Sequence, residues 1–488
     1  MTPRSQLTFR FRGRTRSLSN FSPRRTLLDW LREDESATGT KEGCAEGDCG
    51  ACTVVLARVS GGRLVYSPVN ACILLLGQID GAELLTIEDL AEGESLHPLQ
   101  QAMVDLHGSQ CGFCTPGIVM SLFALYHGGE AATRDNVNQA LVGNLCRCTG
   151  YRPIIEAAFA TIDGVAKDKF ADADAERLMA ISALDDGRDL LVGTEDSFFA
   201  APASEASLAE LYAIHPEATL IGGATDVGLW ITKKLSPLEK IVWLGRIKDF
   251  GAIADSAESL RLGAGATLEA ATPALAALHP DLGLLMSRFG SAQVRASGTV
   301  GGNIANGSPI GDLAPALIAL GALVELRSGG ATRVLLLENF FVGYGKQDRG
   351  SSEYVSALII PKLKANEAYR AAKVTKRFDE DISAVMAAFK LTLDGRKVVS
   401  ARIAYGGMAA TPKRATGAEA ALVGADLDNP RSWVAAKAKI GEDFKPLTDM
   451  RASVAYRSEV AANLVIRALT EISGSPAPTR LGELRAAE

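Results

Sequence analysis

The feature that most constrains this chain is a group of cysteines near its N-terminus. Three of them share one short loop with the spacing C-x4-C-x2-C, and a fourth follows at a distance; they are Cys44, Cys49, Cys52 and Cys72. This order of gaps is that of the four thiolates of a plant-type [2Fe–2S] cluster. The glycines of the loop can adopt positive φ angles and turn backbone N–H groups toward cluster sulfurs. The spacing therefore predicts an iron–sulfur site.

The alternatives for these cysteines are two disulfides or a structural zinc site. Structural zinc usually combines two short cysteine knuckles, a pairing that this spacing does not match. All eight cysteines of the chain lie before residue 149, and the rest of the chain has none. A disulfide framework would spread its cysteines, whereas metal sites concentrate them.

A second set of cysteines follows on segments with helical patterns. It consists of Cys111, Cys114, Cys146 and Cys148. The first pair precedes a predicted apolar helix over 117–126, with Thr115 as its N-cap and Pro116 at its first position. The second pair follows a predicted helix over 134–142. In an antiparallel pair of helices these ends are adjacent, so we expect four thiolates at one end of a small bundle. A zinc site or a redox CxxC pair is the alternative.

Composition bounds the remaining classes of function. A chain of 488 residues is too long for one core and indicates three or four domains. A net charge of −6 gives no reason to expect nucleic acid, and no apolar run is long enough to span a membrane. The arginine-rich N-terminus alternates apolar and polar residues from Leu7 to Arg12, a strand pattern rather than a targeting helix. We expect a cytoplasmic protein, with its five histidines in structural or surface roles.

Two glycine-rich stretches stand out farther along the chain, at 220–228 (LIGGATDVG) and 297–313 (SGTVGGNIANGSPIGDL). Neither is the GxGxxG fingerprint of dinucleotide-binding folds. Runs of small residues can turn backbone N–H groups toward phosphate oxygens, although such runs are more often ordinary turns.

The cysteine sets, with the motif QCGFCTPG…CRCTGY around the second one, resemble the electron-transfer region of the xanthine dehydrogenase / molybdenum hydroxylase family. The resemblance implies two [2Fe–2S] clusters. The cluster of Cys111, Cys114, Cys146 and Cys148 would face the molybdenum cofactor of a partner, and Gln110 would contact its pterin. The cluster of the first set would lie toward a flavin.

The two glycine-rich stretches resemble the phosphate loops of the FAD-binding domain in the same family. The FAD contacts implied by this resemblance are Leu220, Ile221, Gly222, Gly223, Ala224, Thr225, Asp226, Val227, Phe289, Thr299, Gly301, Gly302, Asn303, Asn306 and Asp312. Phe289 would pack near the adenine; an ordinary core phenylalanine is the alternative.

A dense charge cluster at 372–383 resembles the family segment beside the isoalloxazine ring. Lys373 would lie at the polar edge of the ring, where a cation stabilises reduced flavin. Glu380 and Asp226 match acidic positions near the nicotinamide. Read from composition alone, the same run is a solvated face.

We therefore predict an α+β multidomain chain. Its parts are a β-grasp [2Fe–2S] ferredoxin-like domain (1–85), a helical [2Fe–2S] domain of four-helix type (86–165), an exposed linker (166–192), a two-part α+β FAD-binding domain (193–365), an α+β C-terminal flavoprotein domain (366–475) and a disordered tail (476–488).

For function, the resemblance implies an electron-transfer subunit. A large partner subunit that binds the molybdenum cofactor would oxidise xanthine, and electrons would pass through both clusters to FAD and then as hydride to NAD+. Longer family members continue into molybdenum domains, so we expect that partner on another polypeptide, in a dimer of small–large pairs. Two alternatives stay open: a subunit of another molybdenum hydroxylase, acting on aldehydes or N-heteroaromatics with another acceptor, and a non-catalytic redox sensor.

Overall fold

The structure is a computed structural model that describes residues 2–480. The chain divides into two units. The first comprises Met1–Phe250, Thr267–Glu269 and Gly290–Thr299, and the second comprises Gly251–Ala266, Ala270–Phe289 and Val300–Glu488.

The strands of the described residues are β1 (Leu7–Phe11), β2 (Arg14–Leu18), β3 (Thr53–Ser60), β4 (Arg63–Asn70), β5 (Glu83–Leu85), β6 (Leu190–Gly193), β7 (Phe198–Ala201), β8 (Thr219–Ile221), β9 (Lys240–Trp243), β10 (Ile253–Asp255), β11 (Ser259–Gly263), β12 (Leu323–Ser328), β13 (Ala331–Leu336), β14 (Phe341–Gly343), β15 (Lys346–Gln347), β16 (Tyr354–Pro361), β17 (Glu367–Val374), β18 (Val385–Asp394), β19 (Lys397–Gly406) and β20 (Lys413–Arg414).

The α-helices are α1 (Leu27–Asp29), α2 (Ile87–Leu90), α3 (Pro98–Asp105), α4 (Thr115–Tyr126), α5 (Arg134–Leu141), α6 (Arg152–Thr161), α7 (Lys169–Asp172), α8 (Asp174–Ser182), α9 (Glu205–Ile214), α10 (Val227–Thr232), α11 (Leu268–Leu278), α12 (Pro280–Ser287), α13 (Ala292–Ser297), α14 (Val300–Asn306), α15 (Leu313–Leu320), α16 (Leu337–Phe340), α17 (Thr416–Leu422), α18 (Val434–Asp443) and α19 (Val454–Ile472). A π-helical turn (Trp30–Asp34) and two 3-10 turns (Leu76–Ile79 and Pro430–Trp433) complete them.

The N-terminal part of the first unit is the predicted β-grasp. Its sheet has the order β2-β1-β5-β3-β4, with β1 and β5 parallel and the other pairs antiparallel. Leu7, Phe9 and Phe11 alternate along β1 and are buried. The rings of Phe9 and Phe11 each lie 5.4 Å from Trp30, on the π-helical turn that continues α1. The N-terminal alternation is therefore a strand, as predicted.

A second sheet of the first unit, with the order β6-β7-β9-β8, shares its hydrophobic core with the β-grasp sheet. Phe199 and Ile221 from this sheet belong to the same buried cluster as Leu76 and Ile79. The two packing surfaces are so close that a Cβ on Gly77 would lie 2.3 Å from the ring of Phe199. The predicted division at 192/193 therefore falls inside one continuous core.

The helical part of the first unit centres on α4, which is buried nearly all round, as its apolar sequence predicts. The N-cap of α4 is Cys114 rather than the predicted Thr115, so Pro116 lies at the second helical position. Thr133 caps α5 as predicted, and its side chain accepts the N–H of Asn136.

The segment 166–192 is not the exposed linker that its charge predicts. It forms α7 and α8, on which Phe170, Arg177 and Ile181 are buried. The Arg177 guanidinium pairs with Glu83 on β5 at 2.8 Å. The prediction was wrong because charges far apart in sequence form buried pairs, which local composition does not reveal.

The same segment is anchored by one shared carboxylate. Oδ2 of Asp168 lies 2.9 Å from Nε2 of His97 and 2.9 Å from Nε2 of His127, and all three side chains are nearly inaccessible. Nδ1 of His97 accepts the N–H of Leu99, so the proton of this ring lies on Nε2. These two histidines have the structural role that was predicted.

The second unit contains two larger sheets, in the orders β10-β11-β16-β12-β13 and β17-β18-β19-β20. Helix α15 is buried along its whole length and contacts β18 and β19, and α19 packs on β17 and β18. The predicted strand at 401–408 and the predicted helix ending near 469 correspond to β19 and α19.

The predicted tail, 476–488, is described only as far as Arg480, and residues 481–488 lie outside the described residues. Within the described part, the Arg480 guanidinium pairs with Asp281 and Glu471.

Among residues 2–480, no helix combines the length and the apolar character that crossing a bilayer requires.

Replacing the shared carboxylate, Asp168→Asn, should destabilise the helical part of the first unit by about 2–4 kcal/mol, because two buried imidazoles lose a charged acceptor. Burial acts to raise the pKa of Asp168, but hydrogen bonds from His127 and His97 outweigh it and hold that pKa well below its usual range. A depressed pKa stabilises the fold above about pH 4 and loses that effect as pH falls further. The difference in thermal midpoint between wild type and variant should therefore be large at pH 7 and shrink in acid.

The matched control is Asp163→Asn, which removes an exposed carboxylate paired with Lys167 in the same region. Equal midpoints for Asp168→Asn and Asp163→Asn at pH 7 would contradict the anchoring role.

Candidate iron–sulfur and flavin sites

The first cysteine set converges at the edge of the β-grasp. Cys52 and Cys72 are buried, and Cys44 and Cys49 are half-buried in the preceding loop. The Sγ of Cys44 accepts the backbone N–H of Cys49 at 3.3 Å. The thiols of Cys49 and Cys72 lie within hydrogen-bonding reach of the same sulfur, and Cys72 is also within reach of Cys52. The four predicted ligands are therefore brought together.

The protonation of this set favours metal binding. A hydrogen bond from the Cys49 thiol, with another from Cys72, lowers the pKa of Cys44. The same contact with Cys44 raises the pKa of Cys49, and contacts with Cys44 and Cys52 raise that of Cys72. The lowered pKa of Cys44 favours its thiolate, the form in which cysteine binds a metal.

The second cysteine set lies where α4 begins and just beyond the end of α5, as predicted. Cys111 and Cys148 are exposed and within hydrogen-bonding reach of each other, and so are the half-buried Cys114 and Cys146. Burial raises the pKa of Cys114 to about 12. Gln110, predicted to contact the partner's pterin, lies exposed beside Cys111.

The donor sets fit two-iron clusters. All eight cysteines are free thiols, so the disulfide alternative does not describe this structure. A [2Fe–2S] cluster takes its cysteines two to each iron, whereas zinc takes four ligands around one ion. In the second set the thiols form two pairs, Cys111 with Cys148 and Cys114 with Cys146, which matches the first geometry.

The two cysteine loops are in direct backbone contact. The N–H of Leu145, which precedes Cys146, donates to the carbonyl oxygen of Cys49 at 3.0 Å. Gly50 adopts φ +68°, and a Cβ there would lie 2.0 Å from the carbonyl oxygen of Gly143. This contact was not predicted from the sequence, where its signal is the glycine beside each loop.

The first glycine-rich stretch also lies in the first unit. It follows β8 and leads into α10, so Leu220 and Ile221 are strand residues and Val227 begins a helix. A Cβ on Gly222 would lie 2.4 Å from Oγ1 of Thr299. The structure therefore brings the beginnings of the two predicted phosphate-binding stretches together.

Within that stretch, a Cβ on Gly223 would lie 1.9 Å from the carbonyl oxygen of Ser297. Ala224 is buried and adopts φ +58°, and Thr225 is half-buried. Asp226, predicted to lie on the nicotinamide side, is the exposed N-cap of α10. This backbone is shaped for close approach, as a phosphate loop requires.

The end of α10 touches the first cysteine loop. Oγ1 of Thr232 donates to the carbonyl oxygen of Ala45 at 2.8 Å, and Nζ of Lys233 donates to that of Cys44 at 2.5 Å. The segment that follows the glycine loop is therefore fixed to the loop that holds the first cysteine set.

In the second unit, the rest of the second stretch is not the predicted loop. Residues 300–306 form α14, so Gly301, Gly302, Asn303 and Asn306 are helical. A Cβ on Gly301 would lie 2.4 Å from the Cβ of Ala264, so this glycine serves close packing. Gly302 is exposed, and Asn303 and Asn306 are half-buried.

Asp312 and Lys373, predicted as separate flavin contacts, form a buried ion pair. Nζ of Lys373 lies 2.5 Å from Oδ2 of Asp312, and the side chains are 5% and 7% exposed. Oγ of Ser383 donates to Oδ1 of the same aspartate at 2.5 Å. The cation that was predicted to face the flavin edge is thus held in place by a carboxylate.

The loop after Lys373 is held by Arg288 at the end of α12. Its guanidinium donates to the carbonyl oxygen of Phe378 at 2.9 Å and to Oγ1 of Thr375 at 3.0 Å, and it stacks on the Phe378 ring at 4.6 Å. Glu380 lies in this loop at φ +48°. Phe289, the predicted adenine contact, follows Arg288 and is half-buried.

Comparisons with known proteins agree with this arrangement. Four family models match in sequence order: the 2Fe-2S iron-sulfur cluster binding domain over 9–75, the [2Fe-2S] binding domain over 86–159, the FAD binding domain in molybdopterin dehydrogenase over 195–363, and the CO dehydrogenase flavoprotein C-terminal domain over 368–472.

Among relatives, the xanthine dehydrogenase of Emericella nidulans is 31% identical over 94% of this chain and 38% of its own length. The chain thus spans less than two-fifths of that curated relative. The CO dehydrogenase of Oligotropha carboxidovorans has a solved chain 27% identical, with a TM-score of 0.54, covering 58% of this chain and 98% of the other. Quinoline 2-oxidoreductase from Pseudomonas putida 86 is 25% identical, with a TM-score of 0.52, covering 56% and 95%.

The fold and the matched domains define an oxidoreductase chain with two [2Fe–2S] domains and an FAD-binding domain. The chain belongs to the molybdenum hydroxylase family, in which it corresponds to the iron–sulfur and FAD part.

Gly50→Ala tests the contact between the cysteine loops. The new Cβ would clash with the carbonyl oxygen of Gly143, a backbone atom that no rotamer change can move. We therefore expect loss of bound iron, of acid-labile sulfide and of the visible absorbance of the clusters. Gly61→Ala is the matched control, because Gly61 has φ +58° and open space around its Cβ position. It carries the same backbone strain, about 1–2 kcal/mol, without the clash. Full cluster content in Gly50→Ala would contradict the tight contact.

Proposed function

We propose that the chain is the electron-transfer subunit of a xanthine dehydrogenase. It would receive electrons from a partner subunit that binds the molybdenum cofactor and oxidises xanthine, and it would deliver them to NAD+. When bound, the clusters carry single electrons and FAD collects two and passes them on as a hydride. NAD+ accepts only electron pairs, so a flavin has to stand between it and the clusters.

The observation that carries this proposal is the serial contact within the first unit. The loop of the second cysteine set touches that of the first through Leu145 and Cys49. The first cysteine loop in turn touches α10, which follows the glycine loop, through Thr232 and Lys233. Each predicted cofactor position is thus joined to the next by hydrogen bonds of this chain. A relay needs this order, and an isolated metal site does not.

The residues of this chain would hold and orient the two clusters and FAD. Cys111, Cys114, Cys146 and Cys148 would hold the cluster nearer the partner, and the exposure of two of them, with exposed Phe113 and Leu145 nearby, leaves that site open for docking. The loop 222–225 would bind the pyrophosphate of FAD. The Lys373 cation, fixed by Asp312, would lie at the flavin edge.

A second candidate is the equivalent subunit of another molybdenum hydroxylase. The structural likeness to quinoline 2-oxidoreductase and to CO dehydrogenase favours this candidate. The sequence likeness to xanthine dehydrogenases favours the first one. A non-catalytic redox sensor is less well supported, because a sensor has no need of the matched FAD domain.

The test is an anaerobic titration of the purified protein with NADH, followed by flavin absorbance and low-temperature EPR. Flavin bleaching with two distinct [2Fe–2S] signals would support the NAD-linked relay. Two cluster signals without flavin bleaching would indicate that the electron acceptor is a compound other than NAD+. With the partner subunit present, reduction by xanthine but not by quinoline or CO would decide the substrate.

Lys373→Ala should slow the bleaching of flavin by NADH by about tenfold, equivalent to about 1.4 kcal/mol, because reduced flavin loses its cation. Both cluster signals should remain. Lys390→Ala is the control, since Lys390 lies on β18 of the same sheet and pairs with Glu367. An unchanged bleaching rate in Lys373→Ala, with flavin content equal to wild type, would show that the lysine has no role at the flavin.

A further inference from the structure

A buried group of four polar side chains fills the junction between the two cysteine loops. It consists of Thr53, Ser121, Asn144 and Gln293, none of them more than 2% exposed. Three of the four belong to the cluster domains. Gln293 comes from α13, which directly precedes the second glycine-rich stretch. We refer to these four residues as the junction group.

Gln293 is the hub of the junction group. Its Nε2 carries two protons and lies within hydrogen-bond distance of three acceptors: Oγ1 of Thr53 at 3.0 Å, Oγ of Ser121 at 3.1 Å and Oδ1 of Asn144 at 3.1 Å. Each acceptor is tied to a cysteine set, because Thr53 follows Cys52, Asn144 lies shortly before Cys146, and Ser121 is on the helix that Cys114 caps.

The other members leave the junction group short of donors. The Thr53 hydroxyl donates its proton to the carbonyl oxygen of Gly50 at 2.7 Å. The Ser121 hydroxyl donates to Oδ1 of Asn144 at 2.6 Å, and Nδ2 of Asn144 points to Gly50 at 3.1 Å. The oxygens that face position 293 can therefore only accept, so the side chain there has to donate. An amide meets this need and a carboxylate or thioether does not.

The amide of Gln293 lowers the stability of the fold at this position. Oε1 of Gln293 is buried and has no hydrogen-bond partner within the described part of the chain. It faces Gly143, where a Cβ would lie 2.2 Å from it. A buried acceptor without a donor destabilises a protein, so an apolar residue would suit stability alone. A glutamine at position 293 is therefore better explained by the way its amide nitrogen fixes the positions of three acceptors from the two cluster domains.

We propose that Gln293 is a positioning residue for electron transfer between the two clusters. Its amide fixes the loops on either side of the Leu145–Cys49 hydrogen bond, and with them the separation and orientation of the two cysteine sets. In the step concerned, one electron would pass from a reduced cluster held by the second set to an oxidised cluster held by the first set, so that one ferrous iron would be oxidised and one ferric iron reduced. No bond or proton changes place. The inference rests on the proposed function, because it takes both sets to hold clusters.

The test uses the purified full chain with its clusters. In wild type, full reduction should give two EPR signals, split at low temperature by the magnetic interaction of two nearby spins. Gln293→Met keeps the size of the side chain and removes its donors. We expect iron, sulfide and flavin contents equal to wild type, with the splitting lost or altered and slower equilibration of electrons between the clusters after rapid mixing with NADH.

The control is Gln101→Met, the same substitution at an exposed position of α3, where the side-chain amide donates to Asp105. It should leave the splitting unchanged. If Gln293→Met loses its clusters, Ser121→Ala decides, because it removes one acceptor of the amide and leaves the rest of the junction group in place.

The outcomes separate the two proposals. Wild-type protein without cluster signals would overturn the proposed function and this inference with it. Cluster signals in wild type, with splitting and equilibration unchanged in Gln293→Met or, failing that, in Ser121→Ala, would overturn the inference alone. A merely structural role would alter thermal stability and leave the splitting of the loaded protein as it was.

Discussion

The hydrogen bond between Leu145 and Cys49 is the contact on which the first unit depends. It forms only because Gly50, Gly117 and Gly143 place bare backbone at the point where the cysteine loops meet; a Cβ on Gly117, for example, would lie 2.1 Å from the oxygen of Gly50. A separation fixed by backbone atoms is insensitive to side-chain rotamers. The positions of the thiols relative to one another therefore follow from the path of the main chain.

Charge holds the surrounding segments to this core. Oδ2 of Asp80 lies 2.7 Å from Nη2 of Arg4 and 2.5 Å from Nη1 of Arg246, and the aspartate side chain is wholly buried. Burial raises the pKa of Asp80, in spite of the hydrogen bond and charge of Arg4, which act to lower it. Such clusters add little net stability, but removal of one partner leaves a buried charge unpaired. Their contribution is to fix which segments meet, as the carboxylate of Asp168 does for α7.

Features of the fold that depend on residues close together in the sequence were predicted from sequence patterns. The alternation along β1 and the cap at Thr133 follow from spacing within about one or two turns. The convergence of each cysteine set was predicted from a ligand spacing known for iron–sulfur clusters and from the adjacent ends of two helices. What was missed depends on distant partners. Segment 166–192 has the composition of a linker, and its burial rests on His97, His127 and Glu83, which no periodicity connects to it.

The flavin residues show the same limit. Asp312 and Lys373 were each predicted from a motif, and neither motif contains the other, so their pairing required the fold. The second glycine-rich stretch was predicted as a phosphate loop from its resemblance to the FAD-binding domain of the family. Its residues 300–306 form a helix instead, in which Gly301 packs closely against Ala264. Gln293 carried no signal at all, since a buried glutamine is recognised only by its neighbours.

The division of the chain has a consequence for how the protein can be taken apart. The polypeptide passes between the two units five times, at 250/251, 266/267, 269/270, 289/290 and 299/300. A protease that cuts once leaves at least four of these connections intact, so limited digestion should nick the protein without releasing either unit. A cut in the chain near residue 192 would not separate the two resulting fragments either, because β6–β9 and the β-grasp sheet share one core. The fragments would stay together as two subunits, with that core as their interface.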